Sequence, residues 1–258
     1  MWSSRRFKLR IASCFAAMDW RTELIESYLA ADWSAFVYCL GKKPELLEDR
    51  QFHHSPPFLL AIHSGNLEII RSLMRIGADV NVHSTWYLFD PSNHQRQLEF
   101  ERRLTSPHYP TAWGTNVSVS GLVAAHLFGF SDIYADLVPR VSDETRFQAL
   151  YVALMTGDEA WANSFDLTVI SSYYATPQAD TRRPTPALAA LYGGCSLDCF
   201  TNVYRATPSP MRAWPHYVDL APPGHEEGNN SFLEGDLQFW ARHLQRQDVE
   251  AFIKQNAE

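Results

Sequence analysis

The chain has 258 residues, of which 46% are hydrophobic and 20% are charged, so it can bury a sizeable core as a single elongated domain. Its formal net charge of -7, with no basic stripe beyond the N-terminus, argues against a protein that follows nucleic-acid phosphates. No apolar run reaches the roughly 18 residues that cross a bilayer, so the sequence predicts no membrane contact and a cytoplasmic protein, with the nucleus as the alternative.

The first eighteen residues carry basic side chains and no acidic residue before Asp19. The basic residues are Arg5, Arg6, Lys8 and Arg10, and a short apolar run from Ile11 to Met18 follows them. This pattern is typical of a transit peptide, and equally of an upstream extension, because Asp19 and Trp20 make a natural start for a first helix. We predict that residues 1–18 form a loosely packed or disordered tail and that residues 19–258 form a single domain.

Residues 55–81, SPPFLLAIHSGNLEIIRSLMRIGADVN, predict two helices joined by a tight turn. The first helix begins at Pro57, and the turn falls at Gly65, where the backbone needs a residue that tolerates a positive φ. The second helix has apolar residues at spacings of three and four on one face, and it ends at Gly77. These apolar residues are Leu67, Ile69, Ile70, Leu73 and Met74, and the opposite face carries Glu68, Arg71 and Arg75.

This segment resembles the ankyrin repeat, whose usual pattern is T-P-L-H-x-A-A, then G-H-x-E-V-V-x-x-L-L, then G-A-D-V-N. It differs at the start, where Pro56 replaces the threonine and Leu59 replaces the histidine. The resemblance implies an all-α solenoid of stacked helix pairs that binds protein partners along a concave groove. It also implies that the connection after each second helix projects as a finger toward that groove.

Weaker copies of the same pattern surround this segment. With Gly65 as the reference, the equivalent turn residues are Ala31, Gly129, Gly157, Gly194 and Gln247. The successive spacings are 34, 64, 28, 37 and 53 residues, against an expected period of about 33. A repeat of this kind cannot bury its faces alone, so we predict an ankyrin-repeat solenoid of about five to six helix pairs. The two large spacings predict long loop insertions at about 83–116 and 206–231, both on the concave side.

The first insertion, residues 83–116, is rich in large aromatic residues, which argues against a disordered loop. Its predicted binding residues are Trp86, Tyr87, Phe89, Arg96, Tyr109 and Trp113. The same segment offers an acid or base at His94 or His108, with Asp90 as the orienting partner.

The second insertion, residues 206–231, contains five proline residues that stiffen the chain around its aromatic residues. Trp214 and Tyr217 are its predicted binding residues, because aromatic side chains lose little conformational entropy when they bind. His216 with Asp219 is the alternative acid-base pair, since both belong to the same short segment.

Three functions are compatible with these insertions. The insertions can complete the hydrophobic core where the repeats are weak, form a protein-recognition surface together with the groove, or enclose a small apolar ligand. The sequence contains no metalloprotease, phosphate-binding, nucleophile-elbow or paired zinc-binding motif, so it predicts no cofactor and no metal. We therefore expect a binding module for a protein partner. The alternative is a cofactor-free isomerase, cyclase, lyase or hydrolase of an apolar small molecule that works by proton transfer.

Four cysteines are too few and too irregularly spaced for a disulfide framework. Cys195 and Cys199 lie four residues apart on a predicted helix, and we interpret them as small buried fillers rather than as half of a metal site or a redox pair. His63 and His126 fall on faces between helices, where we interpret both as hydrogen-bonded packing residues rather than bases.

Overall fold

The protein is predominantly helical in the parts of the chain that the structure describes. This computed structural model describes residues 19–48, 56–85, 118–176, 185–212, 216–219 and 232–256. Helices account for 69% of these residues and strands form only four short segments there, which confirms the predicted all-α class. Within these ranges, no helix combines the length and the apolar character that crossing a bilayer requires.

Fourteen α-helices and four strands follow one another along these ranges. The helices are α1 (Trp20–Leu29), α2 (Trp33–Lys42), α3 (Pro57–Ile62), α4 (Leu67–Arg75), α5 (Gly121–Leu127), α6 (Ser131–Leu137), α7 (Asp143–Met155), α8 (Glu159–Ala162), α9 (Thr168–Tyr174), α10 (Pro186–Tyr192), α11 (Leu197–Ala206), α12 (Ser209–Arg212), α13 (Leu237–His243) and α14 (Gln247–Asn256). The strands are β1 (His83–Thr85), β2 (Ser118–Ser120), β3 (His216–Asp219) and β4 (Phe232–Gly235), and a 3-10 helix spans Pro44–Glu48.

The helices form pairs that stack in two layers. The pairs are α1 with α2, α3 with α4, α5 with α6, α7 with α8, α10 with α11, and α13 with α14. In the first layer, each helix packs on the next helix of that layer, in the order α3, α5, α7, α10 and α13. In the second layer, α2 packs on α4 and α4 on α6, and farther along α9 packs on α11 and α11 on α14. The described residues therefore contain six stacked helix pairs with one continuous hydrophobic core.

Each pair is joined by a turn in which one residue has a left-handed backbone, with φ between +51° and +76°. These residues are Ala31, Gly65, Gly129, Gly157, Gly194 and Gln245. The first five are the predicted turn positions, but the prediction of Gln247 for the last pair is wrong, because Gln247 already begins α14. The backbone N–H of Arg246 donates to the carbonyl of Ala241 at 2.8 Å and closes this turn two residues earlier.

A small residue lies four positions before each left-handed residue. It is Ser27 in the first pair, and Ala61, Ala125, Ala153, Ala190 and Ala241 in the others, and each is at most 5% exposed. In five of the six pairs its carbonyl accepts the N–H five residues later at 2.8–3.0 Å, which is the hydrogen bond that ends a helix at a left-handed residue. The left-handed residue and the small residue before it thus recur in every pair, and the hydrogen bond recurs in five of them, although few other residues repeat.

The fourth pair departs from the regular pattern in its second helix. α8 contains only four residues, and the second layer resumes in α9 after residues 163–167. The ring of Tyr173 on α9 stacks on Phe147 of α7, with centroids 3.8 Å apart and planes 5° from parallel. This stack attaches α9 to the first layer, and α9 in turn packs on α11, so the second layer continues past the break.

The turns of the fourth and fifth pairs meet backbone to backbone at two glycines. A Cβ atom added at Gly193 would overlap the carbonyl oxygen of Leu154, and one added at Gly157 would overlap the carbonyl oxygen of Gly193. These two pairs therefore approach as closely as they do only because neither position carries a side chain.

Candidate functional site at the ribbon edge

Two-stranded ribbons mark the ends of both insertions. β1 pairs antiparallel with β2, with Thr85 opposite Ser118, and β3 pairs antiparallel with β4, with Asp219 opposite Phe232. Each ribbon lies in the connection from a second-layer helix to the first-layer helix of the following pair. Because the turns within pairs lie at one edge of the stack, both ribbons leave from the opposite edge, which we call the ribbon edge. β2 packs on α5 and α7, and β4 packs on α13, so both ribbons lie beside the first layer.

Asn81 holds the root of the first ribbon to the stack. Its side-chain oxygen accepts hydrogen bonds from the N–H of Ser142 at 2.7 Å and from the hydroxyl of Thr145 at 3.1 Å. Thr145 is completely buried on α7. The N–H of Asn81 donates to the Asp79 carboxylate at 2.8 Å. The ribbon that follows the second pair is thus fixed to the fourth pair, which lies two pairs farther along the stack.

Replacing Asn81 by Ala is expected to lower the free energy of unfolding by about 1–2 kcal/mol, because the buried Thr145 hydroxyl loses its acceptor. Urea denaturation followed by circular dichroism measures the change. Asn163→Ala is the matched control, since Asn163 is exposed and its side chain makes no hydrogen bond to the described residues. Equal stability of the two variants would show that Asn81 does not anchor the ribbon.

Trp240 holds the root of the second ribbon. Its indole N–H donates to the carbonyl of Gly235, the last residue of β4, at 3.1 Å. The indole is completely buried and its ring lies 5.5 Å from the ring of Tyr192 on α10. A side chain at Gly235 would overlap Phe239, so strand and helix meet closely here. The second ribbon is therefore packed onto the sixth pair, and the indole that holds it there also contacts the fifth pair.

Three of the first-layer helices, α3, α5 and α10, are enclosed rather than open. Every residue of α3 and α10 is buried, and in α5 only His126 is partly exposed. Among the described residues, the exposed large hydrophobic side chains are Leu29 and Tyr38, and both belong to the first pair. The helices next to the ribbons consequently offer no aromatic patch of their own to a partner.

Most of the predicted site residues lie outside the described residues. These are Trp86, Tyr87, Phe89, Asp90, His94, Arg96, His108, Tyr109, Trp113 and Trp214. The backbone of β3 carries His216, Tyr217 and Asp219, opposite Gly235, Glu234 and Phe232 respectively. The roles assigned to all of these side chains remain predictions, and the structure places only the paired strands of the two ribbons at one edge.

A histidine-aspartate pair that the sequence did not single out lies at the opposite edge. His126 Nε2 is 3.1 Å from a carboxylate oxygen of Asp158, and the His126 ring stacks on Trp161 with centroids 3.8 Å apart. The Trp161 indole N–H donates to the Tyr134 hydroxyl at 2.9 Å, and Asp158 also caps α8. Each member of this cluster thus joins the third pair to the fourth, which favours a packing role for His126.

The ring of His63 packs edge-on against Phe128 of the third pair, with ring centroids 5.0 Å apart. Cys195 and Cys199 are both free and buried, in agreement with the interpretation of buried fillers. Within the described ranges, no group of three or more His, Cys, Asp or Glu side chains is arranged to hold a metal ion.

No family model matches the chain, and neither a curated protein nor a solved structure matches it. The geometry of the ribbon edge is therefore the main basis for assigning a function.

Proposed function

We propose that the chain is an ankyrin-repeat protein that binds a protein partner at its ribbon edge. Support for the repeat comes from the recurring turn, in which a left-handed residue follows a buried small residue by four positions. The fifth pair also begins with Thr185 and Pro186 and carries Ala190 at the first alanine position of T-P-L-H-x-A-A. The Thr185 hydroxyl accepts the N–H of Leu188 at 3.4 Å and so caps α10.

One observation carries the proposal. Both ribbons lie at the same edge of the stack, and three successive contacts between first-layer helices separate them. These contacts run from α5 through α7 and α10 to α13, and packed helices are separated by about 8–10 Å, so the ribbon roots lie about 25–30 Å apart. A surface of this width fits a folded protein or a long peptide, whereas a drug-sized molecule is too small to span it.

Burial of the first layer indicates which residues would make the contact. Since α3 and α10 have no exposed side chain, a partner at this edge would contact the residues of the ribbons rather than those two helices. The segments between the paired strands contain Trp86, Tyr87, Tyr109 and Trp113 in the first ribbon. Aromatic residues of this kind dominate the binding energy of protein interfaces.

The pairing of the strands allows each insertion to be removed without altering the stack. Because Thr85 lies opposite Ser118, an Asn-Gly turn in place of residues 86–117 closes the first ribbon as a two-residue hairpin. The same turn in place of residues 220–231 closes the second ribbon between Asp219 and Phe232. We expect both closed variants to keep the helical circular dichroism of the parent protein.

Affinity capture with the full chain, followed by calorimetry with each purified captured protein, tests the proposal. A true partner should bind the variant that lacks residues 86–117 at least about 30-fold more weakly, because that variant loses Trp86, Tyr109 and Trp113 and a single hot-spot residue contributes about 2 kcal/mol or more. Trp113→Ala and Trp214→Ala should reduce affinity with the fold intact. Asp132→Ala is a control away from both ribbons, because Asp132 is exposed and lies in the first turn of α6, beside the turn at Gly129. Unchanged binding by both closed variants would contradict the proposal.

One observation favours a cofactor-free enzyme as the second candidate. Gln148 on α7 is 8% exposed, and its side-chain oxygen accepts no hydrogen bond from the described residues. A buried acceptor without a donor suits a site that receives a ligand donor. In this alternative, His94 or His108 with Asp90, or His216 with Asp219, transfers the proton. Turnover of a small apolar metabolite that is lost in Trp113→Ala or Trp214→Ala would favour this candidate.

A further inference from the structure

The first helix pair forms one end of the stack. α1 packs on α2, and α2 packs on α4 of the second pair. Among the described residues, no helix pair precedes α1. Each later pair packs against the pair before it, so the first pair presents to its surroundings a side that is covered in all the others.

In the later pairs, two positions of the first-layer helix reach the pair before. Eight residues before its left-handed residue, the third pair has Gly121, and a Cβ atom added there would lie 3.0 Å from the ring of Phe58 in the second pair. Five residues before its left-handed residue, the sixth pair has Trp240, whose ring centroid lies 5.5 Å from that of Tyr192 in the fifth pair.

Two positions of the second layer make the same kind of contact. One residue after the left-handed residue, the ring of Phe130 in the third pair lies 2.9 Å from a Cβ atom added at Gly65 of the second pair. Seven residues after it, the Asp136 carboxylate accepts a hydrogen bond from Arg71 of the second pair at 3.0 Å. These four positions therefore mark the side of a helix pair that faces its predecessor.

The four equivalent residues of the first pair, counted from Ala31, are Glu23, Glu26, Asp32 and Tyr38. We call these four residues the end face. Glu23 and Glu26 are three residues apart and so share one side of α1. Asp32 is the capping residue of α2, and Tyr38 lies farther along the same helix.

The end face combines negative charge with an exposed aromatic ring. Glu26 and Asp32 are exposed, and Glu23 is half-buried. Within the described ranges, no basic side chain forms an ion pair with any of these three carboxylates. Tyr38 is 37% exposed and is one of the two large hydrophobic residues that are exposed in those ranges. A segment that covers this face should therefore carry basic and apolar side chains together.

The segment that precedes α1 has this composition. Residues 5–10, RRFKLR, carry four basic side chains and no acidic one, and residues 11–18, IASCFAAM, form the apolar run. Residues 1–18 lie outside the described residues. Met18 is joined directly to Asp19, which caps α1 by accepting the N–H of Arg21 at 3.1 Å. The segment is therefore tethered to the helix that carries half of the end face.

We propose that residues 5–18 dock on the end face, with their basic side chains against the carboxylates and their apolar run over Tyr38. The segment takes the place of a preceding helix pair and completes the end of the stack. This contact lies away from the ribbon edge, so it does not depend on the partner proposed there.

The length of the segment allows this contact. Eight residues separate Arg10 from Asp19, and they span about 12 Å as a helix or about 26 Å when extended. α1 has ten residues and is about 15 Å long. Exposed ion pairs are individually weak and are screened by salt, but a tethered segment meets its site at an effective concentration in the millimolar range. Several weak contacts can then hold it.

A second copy of the chain is a poorer match for this face. The sixth pair of another copy is the surface that would continue the stack. Two exposed basic residues of that pair, Arg242 and Lys254, are both paired with Glu250, at 2.7 and 2.8 Å. The basic residues 5–10 have no acidic residue among them, so they complement the end face better.

Carbodiimide cross-linking of the full chain tests the contact directly, because it joins an amine to a carboxylate that touches it. Lys8 is the one lysine among residues 1–18. We expect peptides in which Lys8 is linked to Glu23, Glu26 or Asp32. A mixture of 15N-labelled and unlabelled protein distinguishes a link within one chain from a link between two copies.

Trypsin cleavage after the basic residues 5–10 measures how much of the segment is docked. The triple variant Glu23→Gln, Glu26→Gln, Asp32→Asn removes the three charges and keeps the side-chain shapes. We expect cleavage to become about tenfold faster in this variant, since cleavage follows the population of the open state. Sodium chloride at about 0.5 M should have the same effect on the parent protein.

The matched control is the triple variant Asp132→Asn, Glu144→Gln, Asp198→Asn, which neutralises three exposed acidic residues of other pairs. It should be cleaved at the rate of the parent protein. Circular dichroism establishes that both triple variants keep the helical content. Three results would overturn the proposal: links from Lys8 to carboxylates of other pairs as often as to the end face, links only between copies, or equal cleavage of the end-face variant and the parent protein.

Discussion

The Gly193→Ala variant is expected to lose about 3 kcal/mol of unfolding free energy, because the added methyl group overlaps the carbonyl oxygen of Leu154. The overlapped atom belongs to the backbone, so no side chain can rotate away. Relief requires the fourth and fifth pairs to separate, which opens the core around the two turns. For a domain of this size the loss corresponds to a fall in melting temperature of about 10 °C.

Gly41→Ala is the matched control for this variant. Gly41 is exposed in α2, and an added Cβ meets no atom within 4 Å. Alanine is favoured over glycine inside a helix by about 1 kcal/mol, so the control should be as stable as the parent protein or slightly more stable. Thermal unfolding by calorimetry compares the two. Equal melting temperatures would show that the fourth and fifth pairs do not meet as closely as the structure indicates.

Trp240→Ala is expected to lower the free energy of unfolding by about 4 kcal/mol, since it removes the largest fully buried side chain and leaves a cavity beside Tyr192. The same substitution frees the carbonyl of Gly235 and so detaches the second ribbon from α13. Denaturant unfolding measures the stability, and limited proteolysis of the folded protein measures the release of the ribbon.

The Trp240→Phe variant separates these two contributions. It keeps an aromatic ring next to Tyr192 and loses the indole N–H that donates to Gly235. We expect it to be destabilised by about 1–2 kcal/mol, with the loss of the hydrogen bond as the main cause. If the Phe variant were as unstable as the Ala variant, packing against Tyr192 would contribute little and the assigned role of the indole ring would be wrong.

Local features of the fold were predictable from the residues that create them. Gly65, Gly129, Gly157 and Gly194 mark turns because a left-handed backbone favours glycine. The alternation of apolar and charged residues in α4 predicted its exposed face, on which Glu68, Arg71 and Arg75 all lie. The last turn was misplaced by two residues because no glycine occurs there, and Gln245 takes the left-handed position instead.

The interruption of the second layer and the contacts that join one helix pair to the next were not predictable in the same way. The sequence gives no local signal that Phe147 stacks on Tyr173, or that Glu159 caps the helix after Ser196, because the partners are far apart along the chain. For the candidate site, the spacing of turn residues predicted where the insertions occur. The paired strands that bracket them were missed, since β1 and β2 are only three residues long and are separated by 32 residues.

The sequence by itself determined the all-α class, the pairing of helices and five of the six turns, because each depends on φ preferences and helical periodicity within a few residues. The tertiary structure alone decided that both ribbons share one edge and that Asn81 and Trp240 anchor them. These features depend on contacts between pairs, and such contacts exist only once the hydrophobic faces of the helices have been buried against one another.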